Sequence, residues 1–308
     1  MNNIIKSVQH IGLDVGRGYV KAYSEFEGIE YEAIFKSIIG LGRSMDFKEY
    51  NNPIYIEVDR EDFFIGELAE FEGDNPIQNL RDDKTSKVVK TLIYAALNEI
   101  AISDQVKIML GVPNKLFKRS VLDEVTSEYK NKVIKIKNKI TGAHKIVTIR
   151  DINIFREADA ALMWHVNSHP ALRNGAVGLV SVGFRTTELS YYDKGLKFND
   201  KLSKTIEKGN KTALEYVERT LAKKGTMRSL AEIDSSDNYD DLKKTAYEML
   251  SDSVANDIEN AWINLNEVAV FVAGGTSLKL NLDYEIVENP QMTTAKGLYL
   301  IATKKFCQ

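Results

Sequence analysis

The spacing of apolar residues changes period several times along the chain, and each change marks an element. Residues 7–14 (SVQHIGLD) and 19–24 (YVKAYS) predict two strands joined by the turn VGRG, and YEAIFKSII (31–39) predicts a third. The polar stretch 40–52 predicts a loop, and IYIEVDREDFFIGELA (54–69) a hairpin running into a short helix. SKVVKTLIYAALNEIA (86–101) repeats apolar residues at three and four, the mark of an amphipathic helix. VKIMLGVP (106–113) predicts a buried strand ending at Pro113, and NKLFKRSVLDEVTSEY (114–129) a helix. The basic run 130–145 interleaves Val133, Ile134, Ile136 and Ile140 with lysines and predicts a strand pair with one solvated face.

The second half repeats the plan. EADAALMWHVNSH (157–169) predicts a helix, AVGLVSVG (176–183) and TTELSYYDKG (186–195) a strand pair. Helices are expected over 210–224 and 242–265, with a solvated acidic loop, 232–242, between them. EVAVFVAGGTSL (267–278) predicts a buried strand running into a Gly turn, and TTAKGLYLIATKKF (293–306) a closing helix. Strands alternating with helices argue an α/β fold, and strands that read as unbroken apolar runs suit a sheet covered on both faces.

Composition narrows the classes. A chain of 308 residues is long for one core, so two domains or a duplicated unit is expected. A net charge of -3 with Lys and Arg spread along the chain argues against direct nucleic-acid binding. One cysteine, Cys307, excludes an intrachain disulfide framework and a Cys-rich zinc site, as a reducing cytoplasm would favour. The opening MNNIIKSVQHIGLD is too polar for a signal peptide, and no apolar run approaches the roughly 20 residues that span a bilayer, so no membrane association is expected.

The candidate chemistry lies in three Gly-rich turns. LDVGRGYVK (13–21) and VSVGFRTTEL (180–189) each follow a buried strand at the start of one half, and Gly16 aligns with Gly183. In that alignment Gly18 falls on Arg185 and Lys21 on Glu188. Either turn alone is an ordinary β-hairpin; as a facing pair they can grip a polyphosphate. Gly turns let backbone N–H groups approach phosphate oxygens. Gly16, Arg17, Gly18 and Tyr19 in the first turn, and Gly183, Phe184, Arg185, Thr186 and Thr187 in the second, are the candidates. Lys21 can place a charge on the terminal phosphates, and Asp14 is placed to hold Mg²⁺ through water. Gly274-Gly275-Thr276, after the strand FVA, permits close approach of a base and ribose. By residue type alone Glu157 is a helix N-terminal acid favoured by the macrodipole.

The order strand–DxGxG–strand–Lys, a mid-chain Gly/Thr hairpin and a late GG turn resembles the actin-like ATPases, and within them the ParM/StbA-type plasmid-segregation actins. FFIGELA (63–69), LGVP (110–113), FREADAAL (155–162), GFRTTEL (183–189), FVAGGTS (271–277) and NPQMTTAKG (289–297) support it through nearly the whole chain. The resemblance implies an actin-like α/β fold with two ribonuclease H-like domains flanking a nucleotide cleft. Domain I would comprise 1–155 plus 293–308, with a small subdomain over about 31–85. Domain II would comprise 156–292, with a small subdomain over about 201–266. The helices 157–169 and 293–306 would form the hinge. It also implies binding of ATP, with GTP left open because the base pocket has no readable code, together with Mg²⁺. Glu157 would orient the attacking water and Asp14 would act with it, with Asp159 a further candidate. Lys208, Gly209 and Asn210 would lie beside the ribose. Implied partners are further copies of the chain, in a head-to-tail filament, and a DNA-bound ParR-like adaptor at a centromere-like site in the bacterial cytoplasm.

One departure bears on chemistry. The family's second hairpin usually opens with Asp and ends T-T-D, whereas Ser181 and Glu188 stand here. The lost carboxylate normally serves the cation or the attacking water, so slow hydrolysis and long-lived filaments are expected. Two other readings stay open, a nucleotide-binding protein with negligible turnover and a small sugar kinase of the same superfamily. The kinase lacks a clear aspartate base and a Cys-rich zinc motif. Trp164 and Trp262 are expected in the core, and His165 and His169 at i, i+4 are taken as a helix-surface pair without a third metal ligand.

Overall fold

A computed structural model describes residues 7–45, 50–80 and 83–307. Residues 46–49 of the expected loop 40–52 and the opening residues 1–6 lie outside the described residues. The chain divides into two compact units, residues 1–161 with 294–308, and residues 162–293.

In the first unit, β1 (Gln9–Val15), β2 (Tyr19–Phe26) and β3 (Ile29–Lys36) form an antiparallel meander. β4 (Ile38–Leu41), β5 (Ile54–Val58), β6 (Glu61–Ile65), α1 (Glu67–Glu72) and β7 (Asp74–Gln78) follow, then α2 (Lys87–Ile100), β8 (Gln105–Val112), α3 (Arg119–Tyr129), β9 (Lys132–Asn138) and β10 (His144–Arg156). All ten strands share one sheet, ordered β3-β2-β1-β8-β10-β9-β5-β6-β4-β7, with β8 parallel to both β1 and β10. The stretch 31–39 is thus two strands, broken at Ser37. Residues 114–116 form a 3-10 turn, so α3 starts later than expected, at Arg119.

α4 (Glu157–Ser168) leads into the second unit: β11 (Ala176–Val182), β12 (Thr187–Asp193), β13 (Lys197–Phe198), β14 (Lys204–Ile206), α5 (Asn210–Lys223), α6 (Leu230–Ser235), α7 (Asp240–Ala261), β15 (Val268–Ala273) and β16 (Glu285–Ile286). α8 (Thr293–Phe306) returns the chain to the first unit. Here β13 and β14 both pair with β12, and β12-β11-β15-β16 follow in order. Both units therefore place an antiparallel strand pair beside parallel strands reached through helices.

The central strands are buried on both faces, as their unbroken apolar runs require: the successive residues Ile108, Met109 and Leu110 of β8, which point to alternate faces, are at most 2% exposed. β9 alternates instead, with Ile134 and Ile136 in the core while Val133 faces solvent. α2 supplies Leu92, Ile93, Ala96 and Leu97 to the first core. Ser86 caps its N-terminus, accepting from Val89 N–H, and Lys145 Nζ reaches the carbonyls of Asn98 (2.5 Å) and Ala101 (2.7 Å) at its other end. The second core joins Val180, Val182 and Leu189 of the hairpin to Leu214, Val217, Leu250, Val254 and Ile258. The acidic stretch 232–242 is more ordered than a loop. Ser229 and Glu232 close a capping box on α6, and Asp240 and Asp241 open α7, where the helix dipole favours them.

Candidate functional site

In the first unit Asp14 faces Lys21 and Val15 faces Val20 across the β1–β2 pair, leaving residues 16–19 as the turn. Gly16 N–H closes it on Tyr19 O at 3.1 Å. The turn's carbonyls are held by donors of the same unit. Val15 O accepts from Lys84 Nζ (3.1 Å), and Gly16 O from Ser37 Oγ (2.7 Å) and Asn79 Nδ2 (3.1 Å). Arg17 O accepts from Gln78 Nε2 (3.3 Å), and Gly18 O from Ser37 N–H (2.9 Å). Carbonyl oxygens repel an anion; committing each to a donor removes that repulsion and makes the turn electrostatically suited to phosphate.

Asp14 and Lys21 project to one face, and Lys21 Nζ lies 2.9 Å from Asp14 Oδ2. Asp14 is 5% exposed. Glu157, the first residue of α4, lies with Oε1 3.8 Å from Lys84 Nζ. Lys84 therefore ties Glu157 to the end of β1, and Tyr129 OH fixes the backbone of Lys84 by donating to its carbonyl at 2.6 Å. Asp159 pairs with Arg156 and is buried. Ser37, Gln78, Asn79 and Lys84 carry no sequence signal of this role beyond the serine that interrupts an apolar run.

The second hairpin has the same register. Ser181 faces Glu188 and Val182 faces Thr187, with residues 183–186 as the turn and Gly183 N–H on Thr186 O at 2.9 Å. Its carbonyls are again committed. Gly183 O accepts from Asn210 N–H (3.1 Å) and Thr276 Oγ1 (3.0 Å), and Phe184 O from Lys211 N–H (2.7 Å). The first amides of α5 are thus spent on the hairpin. Gly209 is obligatory at this junction, since a Cβ would lie 2.5 Å from Gly183 O. Gly274 takes a left-handed φ of 90° and passes so close to β11 that a Cβ would lie 2.3 Å from Val182 O.

Several candidates are held within the unit. Thr187 is fully buried and its Oγ1 donates to Lys208 O at 2.8 Å. Lys208 Nζ binds Asp257 Oδ2 (2.6 Å) and Ser253 Oγ (2.7 Å), and Asn210 Oδ1 accepts from Tyr247 OH (2.7 Å). Arg185 pairs with Glu207 at 2.9 Å on the exposed tip, and a Cβ on Gly275 would meet the Gln291 side chain at 3.5 Å, an ordinary contact distance.

His165 departs from expectation. It is buried, with its ring 4.5 Å from that of His169 and 4.4 Å from that of Phe271. Burial, and next the neighbouring His169, lower its pKa from the ordinary value. Trp262 is in the core and donates Nε1–H to Leu202 O at 2.8 Å. Among the described residues no group of three His, Cys, Asp or Glu is arranged to ligate a metal. A lone buried Asp14 at the root of a phosphate-type turn fits a hydrated Mg²⁺ held through water. No helix of the described residues is long and apolar enough to cross a membrane.

Residues 12–158 match the family described as actin like proteins, N terminal domain. No match was found among curated protein sequences. The fold is similar to that of Ta0583, an archaeal actin homolog, at TM-score 0.80 and 19% identity over 97% of this chain and 100% of that one. It is similar to a ParM from Clostridium botulinum solved as a 15-stranded filament, at TM-score 0.81 and 19% identity over 97% and 99%. Ta0583 in complex with ADP matches at TM-score 0.77 and 20% identity over 97% and 100%. Residues 12–158 thus match an actin-like N-terminal domain, and the fold of the chain is similar to that of actin homologues.

Proposed function

We propose that this protein binds and hydrolyses ATP or GTP with Mg²⁺, and that nucleotide state governs its head-to-tail assembly into a filament. The observation that supports this best is the pair of register-matched hairpins, each with most of its turn carbonyls committed to donors from its own unit. Each such turn suits phosphate oxygens. Ta0583 as an ADP complex and the ParM filament supply the analogy for binding and assembly. In this reading the cytoplasmic filament segregates plasmid DNA through a DNA-bound ParR-like adaptor.

Gly16, Arg17, Gly18 and Tyr19 offer backbone donors, as do Gly183, Phe184, Arg185 and Thr186. Lys21, released from Asp14, neutralises phosphate charge, and Asp14 orients water on the cation. Bound Mg²⁺ would supply charge neutralisation on the phosphates. Glu157, oriented through Lys84, positions the attacking water. Lys208, Gly209, Asn210, Thr187 and Thr276 hold the second hairpin in place, and Gly274 and Gly275 border the base. Ser181 favours a second reading, binding with negligible turnover.

The test is equilibrium binding of a fluorescent ATP analogue with phosphate release, in wild type and in Lys21→Ala and Gly183→Val variants. Weakened binding in both variants supports the reading. Unchanged binding in both contradicts it, and binding without phosphate release selects the second reading.

A further inference from the structure

In the first unit β3 lies at one end of the sheet, and among the described residues it pairs only with β2. Antiparallel rungs alternate between bonded and non-bonded, and Ser37 N–H donating to Gly18 O at 2.9 Å fixes the phase. Counting back along the register from that rung, Phe35, Ala33, Tyr31 and Ile29 bond to β2. Glu30, Glu32 and Ile34 therefore turn their N–H and C=O groups away from it. Beside them runs a groove of about 620 Å³. All of residues 32–36 line it. Successive side chains of a strand point to opposite faces, so unbroken lining means that the groove follows the strand's edge. Ile54, Ile65 and Leu68 add apolar lining, and Ile34 on the edge is 44% exposed.

The charges around this edge share one sign. Glu67 and Glu99 line the groove, both exposed and outside any salt bridge among the described residues. The one lysine in the lining, Lys36, is committed to Glu70 at 2.5 Å. Glu25 and Glu30 face each other directly across β2 and β3, a like-charge rung that destabilises a sheet. Such an edge repels a second copy of itself and attracts a strand that carries lysine or arginine. An open strand edge can take up an extended peptide through main-chain bonds, with neighbouring pockets receiving alternate side chains.

We infer that the outer edge of β3 and the groove beside it form a docking site for an extended, basic segment of a partner protein, which joins the sheet as a further strand. Glu32 and Ile34 supply main-chain donors and acceptors. The groove takes an apolar side chain, and Glu67 and Glu99 hold the cationic ones. The site lies within the first unit and stands independently of the nucleotide reading.

The experiment uses the full chain and, as the probe, a fluorescein-labelled peptide of alternating lysine and valine. Binding is followed by anisotropy, and amide hydrogen exchange is resolved by residue. Bound peptide should slow exchange at Glu32 and Ile34 and leave Ala33 and Phe35, already in the ladder, unchanged. Ile34→Pro removes one outward donor without breaking the ladder and should weaken binding at least about fivefold. Ile34→Val, which keeps the N–H, should bind as wild type does. Glu67→Gln combined with Glu99→Gln, which leaves the strand itself intact, should weaken binding about two- to thirtyfold. Failure of the wild type to bind the peptide overturns the inference, as does binding that neither Ile34→Pro nor the double variant weakens. Displacement of the peptide by spermine at equal charge overturns it too, because the site would then read charge alone. Slowed exchange at Glu32 and Ile34 on raising protein concentration without peptide would assign the edge to a second copy and overturn it as well.

Discussion

Replacing Lys84 with methionine tests whether the first hairpin and Glu157 act as one assembly. The Lys84 side chain is 7% exposed, donates to Val15 O at 3.1 Å and lies 3.8 Å from Glu157 Oε1. Methionine keeps most of the volume and removes the charge. Val15 is buried, so its carbonyl loses a charged donor and is left unsatisfied, which costs about 1–3 kcal/mol. Losing the ion pair costs at most about 4 kcal/mol at that separation with an effective dielectric near 20. The buried ammonium's desolvation penalty, of similar size, is relieved at the same time. Those two contributions largely cancel, so Lys84→Met should destabilise by about 1–3 kcal/mol, mainly through the orphaned carbonyl. Urea unfolding followed by circular dichroism measures this. Single-turnover phosphate release should fall at least about tenfold, because Glu157, proposed to position the attacking water, loses its tether. Nucleotide affinity should change less. A variant with wild-type midpoint and wild-type phosphate release would refute the coupling of Lys84 to hairpin and acid.

Three further outcomes are expected. Gly209→Ala places a Cβ 2.5 Å from Gly183 O and should cost about 1–3 kcal/mol, shifting the second hairpin and weakening nucleotide binding in the same titration. Gln9 is fully buried, donating to Ser24 Oγ and Ile100 O and accepting from Ile102 and Ser103 N–H, so Gln9→Leu should cost about 2–4 kcal/mol in urea unfolding. His165 and His10 both have lowered pKa values, chiefly from burial, so the folded chain binds fewer protons than the unfolded chain. Their contribution is present at pH 7 and is lost as pH falls below the ordinary value of 6.5, and His165→Phe should lessen the drop in urea midpoint between pH 7.5 and 5.5.

Much of the fold was legible because burial imposes period. The runs at 9–15, 105–112 and 268–273 are strands because both faces of each sheet centre are covered, and α2 shows its helical spacing plainly. Short edge strands such as β7, β13 and β14 have too few residues to show a period. The break at Ser37 arises because its side chain turns to Gly16 O, a tertiary demand invisible along the chain. The two hairpins were legible as Gly turns at the start of each half, whereas their supports were not. Lys84, Asn79 and Gln78 lie far from residues 14–21 in sequence, and nothing in their own neighbourhoods records which carbonyl they meet. Likewise the resemblance points to Lys208 and Asn210 as residues beside the ribose, while their side chains engage Asp257 and Tyr247. His165 and His169 read as a surface pair because the i, i+4 spacing shows which residues share a face and not which face is covered.

Right-angle light scattering of the purified protein on addition of Mg-ATP, with phosphate release followed in the same cuvette, tests nucleotide-governed assembly most directly. The account predicts a rise in scattering at micromolar protein that depends on nucleotide, with phosphate release lagging behind it and slow because Ser181 replaces an acid. No rise under conditions where the nucleotide is demonstrably bound would contradict it.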